Sequence, residues 1–205
     1  MTITEKAESL SVKDIVTEAF SCRMMFIDNG GVTLTGGEVT CQKNAALKLI
    51  RALKKNNVNT CIETNASIDN CNEIFEEVDY MIADFKSPFE EKLKAVTNAE
   101  LDTIKNNLLF RAKTGKPLLI RIPLINGFNN TPEDAVAFAD FFEVLQKESY
   151  NKDLFFEILT YHEYGKEKYS KLGINYDVSD GFVTENDVRC LSNEIKKRNL
   201  TLINT

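Results

Sequence analysis

Apolar residues recur along the chain with two alternating periods. Short, β-branched, continuously apolar runs at 31–35, 59–63, 80–85, 118–124 and 154–161 read as strands buried on both faces. Between them, 42–55, 71–78, 98–114 and 132–146 place apolar residues at helical spacing. Ser11 with Asp14 three residues on makes a capping-box-like opening for a helix to about Phe20. Thr131-Pro132-Glu133-Asp134 opens another helix with a cap residue, proline at the first position and acids in the first turn. Gly115, with Pro117 shortly after, stops the helix before it. The segment 185–198 reads as a closing helix and 200–203 as a possible last strand.

Repeated βα units imply an α/β fold with a parallel sheet, either barrel-like or doubly wound. No internal repeat, low-complexity tract or Pro/Gly-rich linker breaks the run, so 1–205 reads as one domain, with 1–9 a linker remnant. In both architectures ligands sit at the carboxyl ends of the strands.

Polar residues collect at those ends. The first strand runs into Gly36-Gly37-Glu38, the second into Glu63-Thr64-Asn65, and the third into Asp84-Phe85-Lys86. The fourth carries Arg121, and the fifth ends in Tyr161-His162-Glu163. Glycines at a strand tip let the backbone approach a ligand without Cβ in the way, and the carboxylate beside them suits a cationic head such as an amino group. A plain βα turn is the other reading of the glycine pair. Asp84 and Lys86 are two apart and share a strand face, while Phe85 points away. An ordinary ion pair at the sheet's end accounts for them equally. Arg121 on an apolar strand must find an anion, from a neighbouring carboxylate or a ligand. Glu63 and Thr64 can offer oxygen ligands to a cation, or Thr64 can cap the next helix. His162 is the only histidine; a lone histidine is more often structural than catalytic, and its place at a strand end raises the case for function.

Composition narrows the partners. Twenty-five basic against 31 acidic residues give a net charge of -6, which argues against a nucleic-acid partner held by phosphate neutralisation. No apolar run spans a bilayer, and MTITEKAESL lacks a signal-peptide core, so no membrane association and a cytoplasmic location are expected. The five cysteines, Cys22, Cys41, Cys61, Cys71 and Cys190, form no CxxC or CxxxCxxC knuckle and read as reduced thiols.

The pieces GGVTLTGGE (30–38), TCIETNA (60–66), YMIADFK (80–86), LIRIPLINGFN (119–129) and ILTYHEYGKEKYSKLGI (158–174) resemble the radical S-adenosylmethionine activases of glycyl radical enzymes, of the pyruvate formate-lyase-activating type. They stand in family order and cover nearly all of the chain from about Leu10. The resemblance implies a partial (βα) barrel with S-adenosylmethionine in its mouth. Gly36, Gly37 and Glu38 would meet the methionine amino end. Glu63, Thr64, Asp84 and the Phe85 backbone would lie near the carboxylate or a nearby cation. Lys86 and Arg121 would contact carboxylate and ribose, and His162 the nucleoside side. It also implies a [4Fe-4S] cluster, an electron donor such as flavodoxin or ferredoxin, and a glycyl radical enzyme as partner.

One departure is large. The family's CxxxCxxC loop after its first strand is not in this sequence; Cys22 lies after the region where it belongs, and Cys41 sits behind the glycine loop. The chain therefore reads as an activase body without its first strand and cluster loop, inactive alone. That reading leaves strand 31–35 as a sheet edge with an exposed apolar flank. Smaller departures are Thr35, Val39 and Glu63, where many relatives have Ser, Pro and Asp. Two other readings stand beside this one: a non-catalytic partner-binding module or half of a split activase, and an aldolase-like barrel forming a Schiff base on Lys86.

Overall fold

Six strands join in the order in which they occur in the chain, β1-β2-β3-β4-β5-β6. They are β1 Gly31–Leu34, β2 Asn59–Thr64, β3 Tyr80–Asp84, β4 Leu118–Leu124, β5 Leu154–Thr160 and β6 Leu202–Ile203. Every neighbouring pair is parallel. The computed structural model describes residues 10–150, 153–176 and 178–204, so the expected linker at 1–9 lies outside it. A doubly wound sheet reverses its strand order at a switch point, and this one never does. The sheet therefore curls one way, as in a barrel wall, and is open among the described residues.

Eight helices are described: α1 Val12–Ser21, α2 Lys43–Lys55, α3 Asn72–Glu77, α4 Glu90–Thr97, α5 Leu101–Lys113, α6 Pro132–Glu148, α7 Lys166–Leu172 and α8 Glu185–Lys197. Capping boxes at Ser11, Thr131 and Thr184 start α1, α6 and α8. Strands β1 to β3 alternate their side chains between the two faces. In β3, Met81 and Ala83 are buried under the helices, while Tyr80, Ile82 and Asp84 face the half-open concave side. Behind the sheet Phe85 meets Phe138 at 5.7 Å and Phe142 at 6.0 Å between ring centroids, and Phe142 stacks on Phe156 at 4.4 Å.

Two helices go beyond the sequence reading. The expected helix at 98–114 starts at Leu101, because Asn98 turns left-handed (φ 54) and ends the separate helix α4. Only Leu93 of α4 is buried, too little apolar periodicity to announce a helix. The helix expected from 42 begins at Lys43, after a 3₁₀ turn over Val39–Gln42. Helix α7 was likewise not expected.

Strand β1 is an edge, pairing only with β2 among the described residues. Its apolar flank, however, is not bare. Val12, Ile15, Val16 and Ala19 of α1, with Phe26, Val32 and Leu34, pack against a buried cluster of Leu49, Leu53 and Val58. Gly31 and Thr33 are exposed and Val32 and Leu34 half-buried, so the flank expected to be exposed is covered only in part.

At the sheet's amino end Arg111 of α5 is fully buried. Its Nη1 donates to the carbonyls of Phe75 (2.5 Å) and Val78 (3.0 Å), and its Nη2 to those of Asp79 (3.0 Å) and Pro117 (2.8 Å). One guanidinium thus fastens the end of α3 to the starts of β3 and β4. Burial pulls its pKa down to about 10, which leaves it charged at neutral pH. No helix among the described residues is long and apolar enough to cross a membrane.

Candidate functional site

Residues from four strand ends meet in one small hollow of about 180 Å³, lined by Thr35, Gly37, Glu38, Glu63, Thr64, Asn65, Asp84, Lys86 and Arg121. It opens at the carboxyl ends of β1–β4. A larger cleft of about 550 Å³ lies on the concave side toward the strands' amino ends, against Thr33, Cys61, Tyr80 and Pro117. Asp79 is its only charged lining group, and that carboxylate already accepts bonds from the Thr60 amide and hydroxyl. The small hollow is the one that gathers several charged side chains.

The glycine loop is held by Glu38. Its Oε1 accepts from the Thr40 amide (3.1 Å), the Thr40 hydroxyl (2.7 Å) and the Thr64 hydroxyl (2.6 Å), and its Oε2 from the Asn65 amide (2.8 Å). The carboxylate thereby ties the loop after β1 to the end of β2. Gly36 and Gly37 have φ of 87° and 58°, and no atom lies within 4 Å of where a Cβ would stand on either. Backbone conformation, not crowding, selects glycine there, and the peptide face stays open to a ligand.

Arg121 and two carboxylates form the floor. Its Nη1 donates to Glu63 Oε1 at 3.0 Å and its Nε to Glu157 Oε2 at 2.9 Å. Burial opposes the guanidinium's charge, but the bonds to Glu157 and Glu63 outweigh it and raise the pKa. The Thr35 hydroxyl gives Glu63 a further bond at 2.6 Å. Lys86 Nζ stands 3.0 Å from Asp84 Oδ2, so these two share a face while Phe85 turns into the aromatic core. The Phe85 amide donates to the Arg121 carbonyl at 2.9 Å.

Of the residues singled out in the sequence, Gly37, Glu38, Glu63, Thr64, Asp84, Lys86 and Arg121 line the hollow, and Gly36 adjoins it. Phe85 contributes backbone only. His162 is exposed, outside the hollow, with its ring 4.4 Å from that of Tyr164. Glu157 was missed because on β5 it reads as one polar residue inside an apolar run. The demand of Arg121 for an anion was the signal that could have found it. Thr64 bonds both Glu38 and the Ala66 amide, so it serves the loop rather than a helix cap.

The hollow therefore offers open peptide backbone, three acids (Glu38 already engaged by the loop) and two bases, a set of groups suited to a zwitterion. Among the described residues no three Cys, His, Asp or Glu side chains gather as a metal group, and Cys22 and Cys41 are exposed while Cys71 is buried. These side chains do not fit an iron–sulfur cluster.

Comparisons with known proteins agree with this geometry. The model of the radical SAM superfamily matches residues 2–141. The 4-hydroxyphenylacetate decarboxylase activating enzyme of Clostridioides difficile is 33% identical over 156 residues, 74% of this chain and 48% of the relative. The pyruvate formate-lyase-activating enzyme of Staphylococcus aureus (strain USA300) is 29% identical over 187 residues, 87% of this chain and 72% of the relative. This chain thus spans about half the length of the first of these. In fold it matches a domain of the pyruvate-formate lyase-activating enzyme from Bacteroides vulgatus (TM-score 0.68, 18% identity, 85% of this chain and 98% of that one). It also matches Streptococcus suis SuiB bound to S-adenosylmethionine (TM-score 0.65, 17% identity, 97% of this chain and 44% of that one). Strand order, the loaded carboxyl rim and the family match converge: the chain belongs to the radical SAM superfamily.

Proposed function

We propose that the rim hollow holds the amino-acid end of S-adenosylmethionine, and that the chain is the cofactor-cradling part of a glycyl radical enzyme activase. The observation that carries this is the alternation of charge around the hollow: Glu63 with Arg121, and Asp84 with Lys86, beside an open Gly36-Gly37 backbone. Ligand pockets for whole small molecules run to about 300–1,000 Å³. A hollow of about 180 Å³ takes only part of such a ligand, and its polarity selects the zwitterionic part.

Each group then has a job at a stated atom. The carbonyls of Gly36 and Gly37, on a loop fixed by Glu38, receive the ammonium. Lys86 and Arg121 orient the carboxylate, and Glu63 and Asp84 keep both cations aimed inward. The nucleoside leaves the hollow toward His162, whose exposed ring is free to stack or hydrogen-bond. Beside a [4Fe-4S] cluster reduced by an electron from a flavodoxin or ferredoxin, S-adenosylmethionine would supply a 5'-deoxyadenosyl radical, which activases use on a glycine of a partner enzyme. The reading gives this chain the cradle and not the cluster. The two curated relatives named above are activating enzymes, which supports the partner class.

The test is calorimetry with S-adenosylmethionine. Asp84→Ala is expected to weaken binding about tenfold, the worth of one charge-assisted contact. Glu143→Ala, at a surface pair with Lys147, is expected to leave it unchanged. Equal effects of the two substitutions, or no binding by the unaltered chain, would overturn the assignment.

A further inference from the structure

The seam between β3 and β4 is interrupted where the proposed site needs it most. The last paired residues are Asp84 and Arg121, and the last rung is the bond from the Phe85 amide to the Arg121 carbonyl at 2.9 Å. The next rung of a parallel ladder takes its N–H from residue 123. That residue is Pro123, which has none. The strands that present Lys86 and Arg121 would part at this point.

A side chain closes the gap. Asn129, 1% exposed, sends its Nδ2 to the Lys86 carbonyl and to the Pro123 carbonyl, each at 2.8 Å. Its Oδ1 accepts from the Ile125 amide at 2.7 Å. One buried carboxamide thus binds the strand end that carries Lys86 to the strand that carries Arg121. All three of its bonds go to backbone, so it sets where the rim residues stand rather than touching what they hold. A second tie joins the same two loops farther back, where both Asp134 oxygens lie 2.7 Å from Lys92 Nζ. That tie links α4 to the first turn of α6 and does not reach Lys86.

We infer that Asn129 is a positioning residue that replaces the rung lost at Pro123 and thereby sets Lys86 beside Asp84 at the mouth of the site. The inference rests on the proposed cofactor cradle for its consequence in binding, and on the hydrogen bonds alone for its consequence in the seam.

Two measurements decide it. In the ligand-free chain, amide exchange by NMR in Asn129→Ser is expected to speed up about tenfold at Ile125 and Phe85, while Ile120 in mid-strand keeps its protection. In calorimetry with S-adenosylmethionine, Asn129→Ser and Lys86→Met are each expected to weaken binding about tenfold, and the double variant no more than either. Pro123→Ala returns the missing N–H and is expected to restore Phe85 protection and affinity to Asn129→Ser, while Ile125, whose acceptor was the Asn129 side chain, stays fast. Lys92→Met is the control, losing stability with affinity unchanged. Should Asn129→Ser not fold, Asn129→Asp removes the two donors while keeping the shape. Unchanged rim exchange, multiplying losses in the double variant, or an equal affinity loss in Lys92→Met would overturn the inference. If the unaltered chain does not bind S-adenosylmethionine, the cofactor reading fails by itself, and the exchange measurement still decides the role of Asn129 in the seam.

Discussion

Arg121 Nε donates to Glu157 Oε2 at 2.9 Å, and the Glu157 side chain is only 3% exposed. Two neighbouring strands thus place an acid and a base at the same level, Arg121 opposite Glu157 in register. Removing one member of a buried pair takes from the other charge its closest opposite charge, which costs far more than the pair contributes. Arg121→Met is therefore expected to destabilise the fold by ~3 kcal/mol. Arg121→Met combined with Glu157→Leu is expected to recover most of that loss while leaving cofactor binding impaired. Denaturant unfolding of the single and double variants checks it; full additivity would show that the pair is not coupled.

The sheet was legible because five of its six strands are apolar runs with β-branched residues, and parallel strands buried by helices have that signature. The rim was legible because Gly36, Glu63, Asp84 and Arg121 interrupt those runs near their carboxyl ends. What stayed hidden depends on contacts between distant segments. That Glu38 would spend both oxygens on Thr40, Thr64 and Asn65 has no sequence signal. Nor does the side chain of Asn129, which sits in a loop-like NGFNN run that reads only as a turn. Strand β6, read from the sequence as a possible last strand at 200–203, is two residues long and pairs with β5.

Glu38 joins the glycine loop to β2 through four accepted bonds, so its loss frees four donors at once. Glu38→Ala is expected to cost ~2 kcal/mol, since buried amides left without acceptors cost about 1–3 kcal/mol and some here reach water. Glu38→Gln keeps one acceptor oxygen and should cost about half as much. Thermal unfolding gives the order, and amide exchange at Asn65 locates the effect. An Asn65 amide equally protected in both variants would show that the loop is held by something else.

Tyr161 and Tyr176 share a hydroxyl–hydroxyl bond of 2.5 Å beyond the end of β5, with Phe182 edge-on to Tyr161 at 5.2 Å. The bond to Tyr176 raises the Tyr161 phenol from 10.0 to about 12. A pKa raised by folding marks a protonated form that the fold favours, so this contact stabilises fully below pH 10 and is lost as pH rises toward 12. Ultraviolet titration is expected to show Tyr161 ionising late, alongside Tyr80, which burial also raises, and Tyr176→Phe to return Tyr161 alone to the ordinary range. A titration curve unaltered by Tyr176→Phe would refute the pairing.

Gly31 and Gly36 bracket the same strand yet should respond to alanine in opposite ways. A Cβ on Gly31 would stand 2.0 Å from the Asn59 carbonyl oxygen, and that oxygen belongs to the neighbouring strand's backbone. It cannot swing aside, so Gly31→Ala must push β1 away from β2 and is expected to cost ~3 kcal/mol or more, in the range of severe overpacking. A Cβ on Gly36 meets nothing within 4 Å, and only its φ of 87° resists, at ~1 kcal/mol. Stability thus ranks Gly31→Ala far below Gly36→Ala. Affinity is expected to separate them as well, because a methyl at Gly36 stands where the ligand's ammonium approaches the open backbone, weakening S-adenosylmethionine binding about tenfold in a chain that stays folded. Unfolding curves and calorimetry on the two variants read both quantities. A Gly36→Ala chain that binds as tightly as the unaltered one would remove the glycine loop from the site, whatever its stability.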